Sequence, residues 1–154
     1  MDLLASLDFE SKRRLSILGY LIAVSGLIYL IISHHILADH PLLIFIQVLA
    51  IFLMVWSRYV FGRRSFHLTA DTSEGKLVTD GPYRYLRHPI YASILYFVWA
   101  AQIDNPALLA SAAAVLITLG LTLRLMLEEH FLLKTYSGYE SYSKNTKRLI
   151  PFLI

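Results

Sequence analysis

The chain has 154 residues, 56% hydrophobic and 16% charged, with a formal net charge of +3 and no cysteine. Its length sets one domain as the limit, and a composition this apolar excludes an ordinary water-soluble globule. The missing cysteines exclude disulfides, thiolate metal sites and thiol chemistry by the protein itself.

Residues 1–14 set Leu3, Leu4, Leu7 and Phe9 among acids and serines. That amphipathic pattern predicts a short segment lying on the membrane before the first span. Four apolar stretches follow, Leu15 to Ile32, Pro41 to Trp56, Ile90 to Ile103 and Ala107 to Leu123. At the α-helical rise the first covers roughly 27 Å and the third about 21 Å, against a hydrocarbon core of about 30 Å. The third is short, so its Arg87-His88-Pro89 entrance is expected below headgroup level, where polar groups require partners.

No Lys or Arg occurs between Arg14 and Arg58 or between Arg87 and Arg124, so each gap is predicted to hold one helical hairpin. All fourteen basic residues then fall on one face. The positive-inside bias makes that face, and both termini, cytoplasmic. The first span reads as a retained anchor, because residues 1–10 carry acids and no base. The net charge is read as topology rather than a nucleic-acid footprint, and no nucleic-acid partner is expected.

Ser33-His34-His35 and Asp39-His40-Pro41 form a brief connection. Without a carboxylate pair or a fourth ligand at helical spacing, its histidines read as a solvated loop and no metal site is expected. Residues 61–80 form the longest polar segment, with turn chemistry at 71–75, and are expected to fold over the cytoplasmic face. Beyond Glu129, Phe131, Leu132, Leu133 and Tyr136 make a helical stripe, Ser137-Gly138 breaks it, and Tyr139, Tyr142 and Leu149-Ile150-Pro151 follow; the region reads as an interfacial helix and aromatic belt. The expected fold is an all-α integral membrane bundle of about four transmembrane helices plus that C-terminal interfacial helix. It forms a single domain, with an N-terminal helical hairpin at 1–60 and a core at 61–154. Ala110, Ser111, Ala113, Ala114 and Gly120 permit close helix contacts, within the chain or between copies, and leave the oligomeric state open.

Two polar blocks, 81–91 and 124–129, flank a thirty-two-residue stretch whose only charge is Asp104. Broken at Asp104-Asn105-Pro106, that stretch returns both blocks to one membrane face. Arg124 and Glu128, four residues apart, share a helix face, while Glu129 lies about 100° further round. Pro89 suits the first helical position, and His88 before it is expected in extended geometry beside Tyr91 and the first-turn amide donors. Such donors suit a carboxylate.

Plainer roles exist for each group. Arg124, Glu128 and Glu129 can form a capped, solvated helix end; Tyr83 and Tyr85 can anchor the interface; and Arg84 and Arg87 can enforce topology. His67 and His130 read as surface or loop residues. Tyr139 and Tyr142 read as structural, closing the C-terminal segment over a pocket.

In order along the chain come Leu77-Val78-Thr79-x-Gly81-x-Tyr83, Arg87-His88-Pro89-x-Tyr91, Asn105-Pro106 and Arg124-x-x-x-Glu128-Glu129. Gly138-Tyr139-x-x-Tyr142 and Arg148-x-x-Pro151 complete the set. From Leu77 to Pro151 this series resembles the isoprenylcysteine carboxyl methyltransferases and related membrane methyltransferases, including phospholipid N-methyltransferases. The resemblance implies S-adenosylmethionine bound at the cytoplasmic face without a Gly-rich Rossmann loop. It places Leu77, Val78, Tyr83, His88, Pro89, Ile90 and Tyr91 around that cofactor, Glu128 on it from the opposite helix, and Arg124 on the acceptor side.

Chemically, Glu128 can pair with the cofactor ammonium or accept from its ribose hydroxyls, while Tyr83 or Tyr91 can lie beside the sulfonium. Arg124 can hold a carboxylate acceptor, and Glu129 can serve an amine acceptor as base, which makes these two the expected catalytic residues. The expected acceptor is a lipophilic small molecule, lipid or lipidated species, methylated on carboxylate, amine or thiol. The compact plan resembles prokaryotic members, hence an inner membrane, and the prenylcysteine substrate is not carried over. An NADPH-dependent sterol or enone reductase is the alternative enzyme, with Arg63, Arg64 and Lys76 available for the 2′-phosphate. A non-catalytic scaffold or transporter subunit is a third reading, although within the spans only Gln47 stands out as polar at depth.

Overall fold

The computed structural model describes residues 8–62 and 77–150. Among these, five α-helices and one 3₁₀ turn follow in order: α1 Phe9–Ile32, α2 Pro41–Phe61, the turn Gly81–Arg84, α3 Pro89–Asp104, α4 Leu108–Thr135 and α5 Tyr139–Asn145. The protein is an all-helical membrane bundle. Three helices, α1, α2 and α4, are long and apolar enough to cross a membrane. The sixteen residues of α3 reach about 24 Å, so it is the short member expected from sequence.

Asp8 starts α1 by accepting from the Ser11 amide at 3.3 Å, which satisfies one of the helix's orphan donors. Phe9 to Arg14 therefore belong to the first turns of α1 rather than to a separate surface segment, a correction to the amphipathic reading. Residues 1–7 of that segment lie outside the described residues, as do the turn at 71–75, His67 and the Arg63, Arg64 and Lys76 cluster. At the other end, α4 runs well past its apolar stretch to Thr135, carrying Glu128 and Glu129 as helical residues.

The helices form an arc in which α1 packs on α4, α4 on α3, and α3 on α2. Small residues dictate the first contact. A Cβ added at Gly19 would stand 2.7 Å from the Gly120 carbonyl oxygen, and one at Gly120 would stand 2.5 Å from that of Gly19. Backbone faces backbone there, the close approach that small residues allow between membrane helices. Ala23, Leu30, Val98, Ala114 and Ile117 fill the core beside this contact.

Polar side chains tie the end of the bundle that carries the short loops. Gln47 donates to the carbonyls of Ile36 at 2.9 Å and Phe97 at 3.1 Å, and accepts from the Ala38 amide at 3.1 Å. Its buried amide is a brace between the 36–38 connection and α3. Asp104 accepts from the amides of Asp39 and His40, and Asn105 donates to Asp39 at 2.7 Å. His40 caps α2 through Nδ1, and His35 lies against the Ser33 carbonyl. No group of three metal-ligating side chains gathers among the described residues.

At the opposite end the chain closes on itself. The Arg87 amide donates to the Lys147 carbonyl at 2.7 Å, the His88 amide to Arg148 at 3.2 Å, and the Lys147 amide to Tyr85 at 3.1 Å. Tyr96 donates its hydroxyl to the Leu149 carbonyl. Residues 146–149 thus form a strap along the entrance to α3.

Candidate active site

Pro89 occupies the first turn of α3 and His88 is its N-cap, with φ −126° and ψ 58°. Proline keeps the preceding residue out of helical geometry. The observed ψ falls short of the fully extended value expected from sequence, and turns the imidazole back over its own helix. His88 stacks on Tyr91 with centroids 5.6 Å apart and planes 9° apart.

From α4, Arg124 and Glu128 meet Tyr91 on one face. Arg124 donates from Nε to the Tyr91 hydroxyl at 2.9 Å, and that hydroxyl donates to Glu128 Oε2 at 2.8 Å. A single phenol therefore joins a buried guanidinium to a half-buried carboxylate. The i, i+4 spacing that put Arg124 and Glu128 on one face is what allows one tyrosine to touch both.

Glu129 faces the other way, into basic groups. Its Oε1 takes Arg87 Nε at 2.9 Å, and its Oε2 takes Arg148 Nε at 3.0 Å and Nη2 at 2.8 Å. Arg87 also donates to the carbonyls of Ser143 and Thr146, so one guanidinium links α3's entrance, α4 and the strap. Arg87 is a half-buried clamp, a role beyond the plain topological charge that is its alternative reading from sequence. Arg84 remains exposed.

His88 Nε2 stands 3.4 Å from Glu129 Oε1, within ion-pair reach but without hydrogen-bond geometry. His88 Nδ1 lies 3.9 Å from Glu128 Oε2. The ring therefore sits between the two carboxylates with its Nε2 buried and short of a hydrogen-bond partner. Tyr139 likewise buries a hydroxyl with no partner among the described residues.

Tyr83 is buried and stacks on Phe61 with centroids 5.4 Å apart, so it is not an interface anchor; Tyr85 is exposed. Burial, and then the nearby Glu128 carboxylate, push the Tyr83 hydroxyl above its ordinary range. Tyr142 donates to the Tyr83 carbonyl at 2.6 Å, and burial pushes its pKa up to about 12, which keeps it a neutral donor. Leu77 and Val78 are half-buried on the approach to the 3₁₀ turn, and Pro89 and Ile90 form the first residues of α3. His130 lies on α4, 3.0 Å from the buried Lys12 ammonium, which corrects its reading as a surface or loop residue.

Two contributors came from a helix that carried no recognisable motif. Ser16 on α1 accepts from Arg124 Nη1 at 3.3 Å, and the Tyr20 ring lies 5.3 Å below the guanidinium carbon. Their only trace in the sequence is a hydroxyl and a phenol four residues apart within an apolar run.

A family model described as phospholipid methyltransferase matches residues 40–138. One curated relative, a methanethiol S-methyltransferase of Crocosphaera subtropica, is 31% identical over 98 residues, which cover 61% of this chain and 38% of that protein. The chain thus spans well under half the length of that relative. No solved structure matches it. Because the family match takes in most of the chain, including α2, α3, α4 and every residue of the Arg124–Tyr91–Glu128 cluster, the chain belongs to the phospholipid methyltransferase family.

Proposed function

We propose that this chain transfers a methyl group from S-adenosylmethionine to an amphiphilic acceptor at the cytoplasmic membrane face. The observation that carries the proposal is the Arg124–Tyr91–Glu128 chain of hydrogen bonds, which sets a cation and an anion beside each other at one end of the bundle. The cofactor's ammonium or ribose hydroxyls suit the Glu128 carboxylate, whose side chain is 26% exposed. Its carboxylate suits the first-turn amides of α3. When bound, the cofactor supplies an electrophilic methyl on a sulfonium.

Arg124 favours an acceptor that arrives as an anion. A carboxylate, or a thiol whose pKa a neighbouring guanidinium lowers, attacks without needing a protein base. The new bond joins the acceptor atom to the methyl carbon while the methyl–sulfonium bond breaks. A negative and a positive charge disappear together. Charge annihilation is easier where the dielectric is low, which fits a site set inside the bundle. We assign Glu129 to holding the strap rather than to proton abstraction, since two guanidinium groups already occupy its oxygens.

Incubating the purified protein in lipid nanodiscs with methyl-labelled S-adenosylmethionine and methanethiol, an alkanethiol, a fatty acid or a fatty amine tests the reading. Label is expected in a thiol or the acid, and not in the amine. Label confined to the amine would overturn the anionic-acceptor assignment, and label in none of them would overturn methyl transfer to these classes.

A further inference from the structure

Arg58 stands half-buried in the last turn of α2, where a cation suits both the helix end and the cytoplasmic boundary. Its side chain does more than reach for headgroups. Nε donates to Met54 Sδ at 3.4 Å, one turn back along α2, and the Ser93 hydroxyl of α3 meets the same sulfur at 3.7 Å. One thioether therefore separates this guanidinium from the first turns of α3. A thioether is a weak acceptor, so the contact orients the cation without neutralising it.

The same end of α2 is locked to the 3₁₀ turn. Phe61, three residues beyond Arg58 and on its face of the helix, stacks on Tyr83. A Cβ added at Gly81 would stand 2.8 Å from the Val60 side chain, and the φ of +58° there also favours glycine. Opposite charges meet at this turn, because the Tyr83 hydroxyl feels the Glu128 carboxylate and the Arg58 guanidinium together. Thus α2 brings a cation to the part of the site that Glu128 and the entrance of α3 define.

We infer that Arg58 binds the carboxylate of S-adenosylmethionine beside the first-turn amides of α3, while Glu128 holds the ammonium. The inference rests on the methyl-transfer reading for the identity of the ligand. Arg58 supplies what backbone amides lack, a full charge and a planar fork that matches two carboxylate oxygens. The positive end of a helix carries only about half an elementary charge, so the guanidinium is the stronger anchor. An amino-acid head is a zwitterion, and this arrangement offers each of its charges a partner of opposite sign.

Calorimetry on the full chain in nanodiscs, with S-adenosylmethionine and its decarboxylated form as ligands, tests the assignment. The two ligands differ only in the carboxylate. The native chain is expected to bind S-adenosylmethionine about ten- to a hundredfold more tightly, the scale of a hydrogen bond to a charged group. Arg58→Gln should lose most of that margin by weakening S-adenosylmethionine while leaving the decarboxylated ligand unchanged. Arg58→Lys should keep part of it, because the charge survives and the fork does not. Equal affinity of the native chain for the two ligands would overturn the inference without any variant having to fold. An Arg58→Gln chain that keeps the full margin would overturn it too, as would one that weakens both ligands alike, which marks Arg58 as a structural part of the α2 end. Binding of neither ligand to the native chain would remove the methyl-transfer reading along with the inference; binding of both without the margin would remove the inference alone.

Discussion

Replacing Arg124 by alanine is expected to lower methyl-transfer turnover about a hundredfold, the scale of loss when a reacting group is misplaced by about an ångström, while cofactor affinity stays near that of the native chain. The guanidinium is fixed on three sides: Nε on the Tyr91 hydroxyl, Nη1 on Ser16 and its face over Tyr20. Those contacts hold it still inside a membrane bundle, where an arginine is costly to place without function or partners. Arg124→Lys is expected to recover little, because an ammonium keeps the charge but loses the planar fork that satisfies three neighbours at once. Single-turnover kinetics with calorimetry separates the steps. A variant that binds cofactor poorly but turns over normally once saturated would mean that Arg124 belongs to the cofactor rather than to the acceptor.

Glu129→Ala should act on stability rather than on chemistry. Removing the carboxylate leaves Arg87 and Arg148 without their shared partner, and breaking a buried ion pair from one side costs about 3–5 kcal/mol. Because Arg148 is 45% exposed and water replaces part of what it loses, the lower end of that range is expected. The strap should loosen with it, since Arg87 also holds the Ser143 and Thr146 carbonyls. Thermal melts in detergent and limited proteolysis near residues 146–149 measure both effects. A variant that melts like the native chain yet loses transfer only to amines would restore Glu129 as a general base.

The sequence made the α3–α4 side of the site legible because its signals are local. Arg124 and Glu128 advertise a common face by their spacing, Glu129 advertises a different one, and His88-Pro89 marks a helix entrance whose geometry proline constrains. Arg87 was harder, because a charge in a sequence shows its sign but not its depth, and topology explains an arginine at a membrane boundary as readily as a clamp does. Ser16 and Tyr20 carried no motif at all. They matter only because Gly19 and Gly120 bring α1 against α4, a pairing set by backbone contact between residues a hundred positions apart. The strap has the same character, since its hydrogen bonds join residues 85–88 to 146–149 and no local pattern announces them. Helix ends also escaped the hydropathy reading. α1 begins among charged residues and α4 continues past its last apolar run, because capping and packing, rather than hydrophobicity, decide where those helices stop.

Titrating S-adenosylmethionine into the native chain and into Glu128→Gln, with NADPH as the comparison ligand, addresses the Arg124–Tyr91–Glu128 cluster most directly. Saturable binding to the native chain is expected, weakened about tenfold or more by Glu128→Gln through the loss of a charged hydrogen bond, with no heat from NADPH. NADPH binding in place of S-adenosylmethionine, or a Glu128→Gln chain that binds the methyl donor as tightly as the native one, would contradict it.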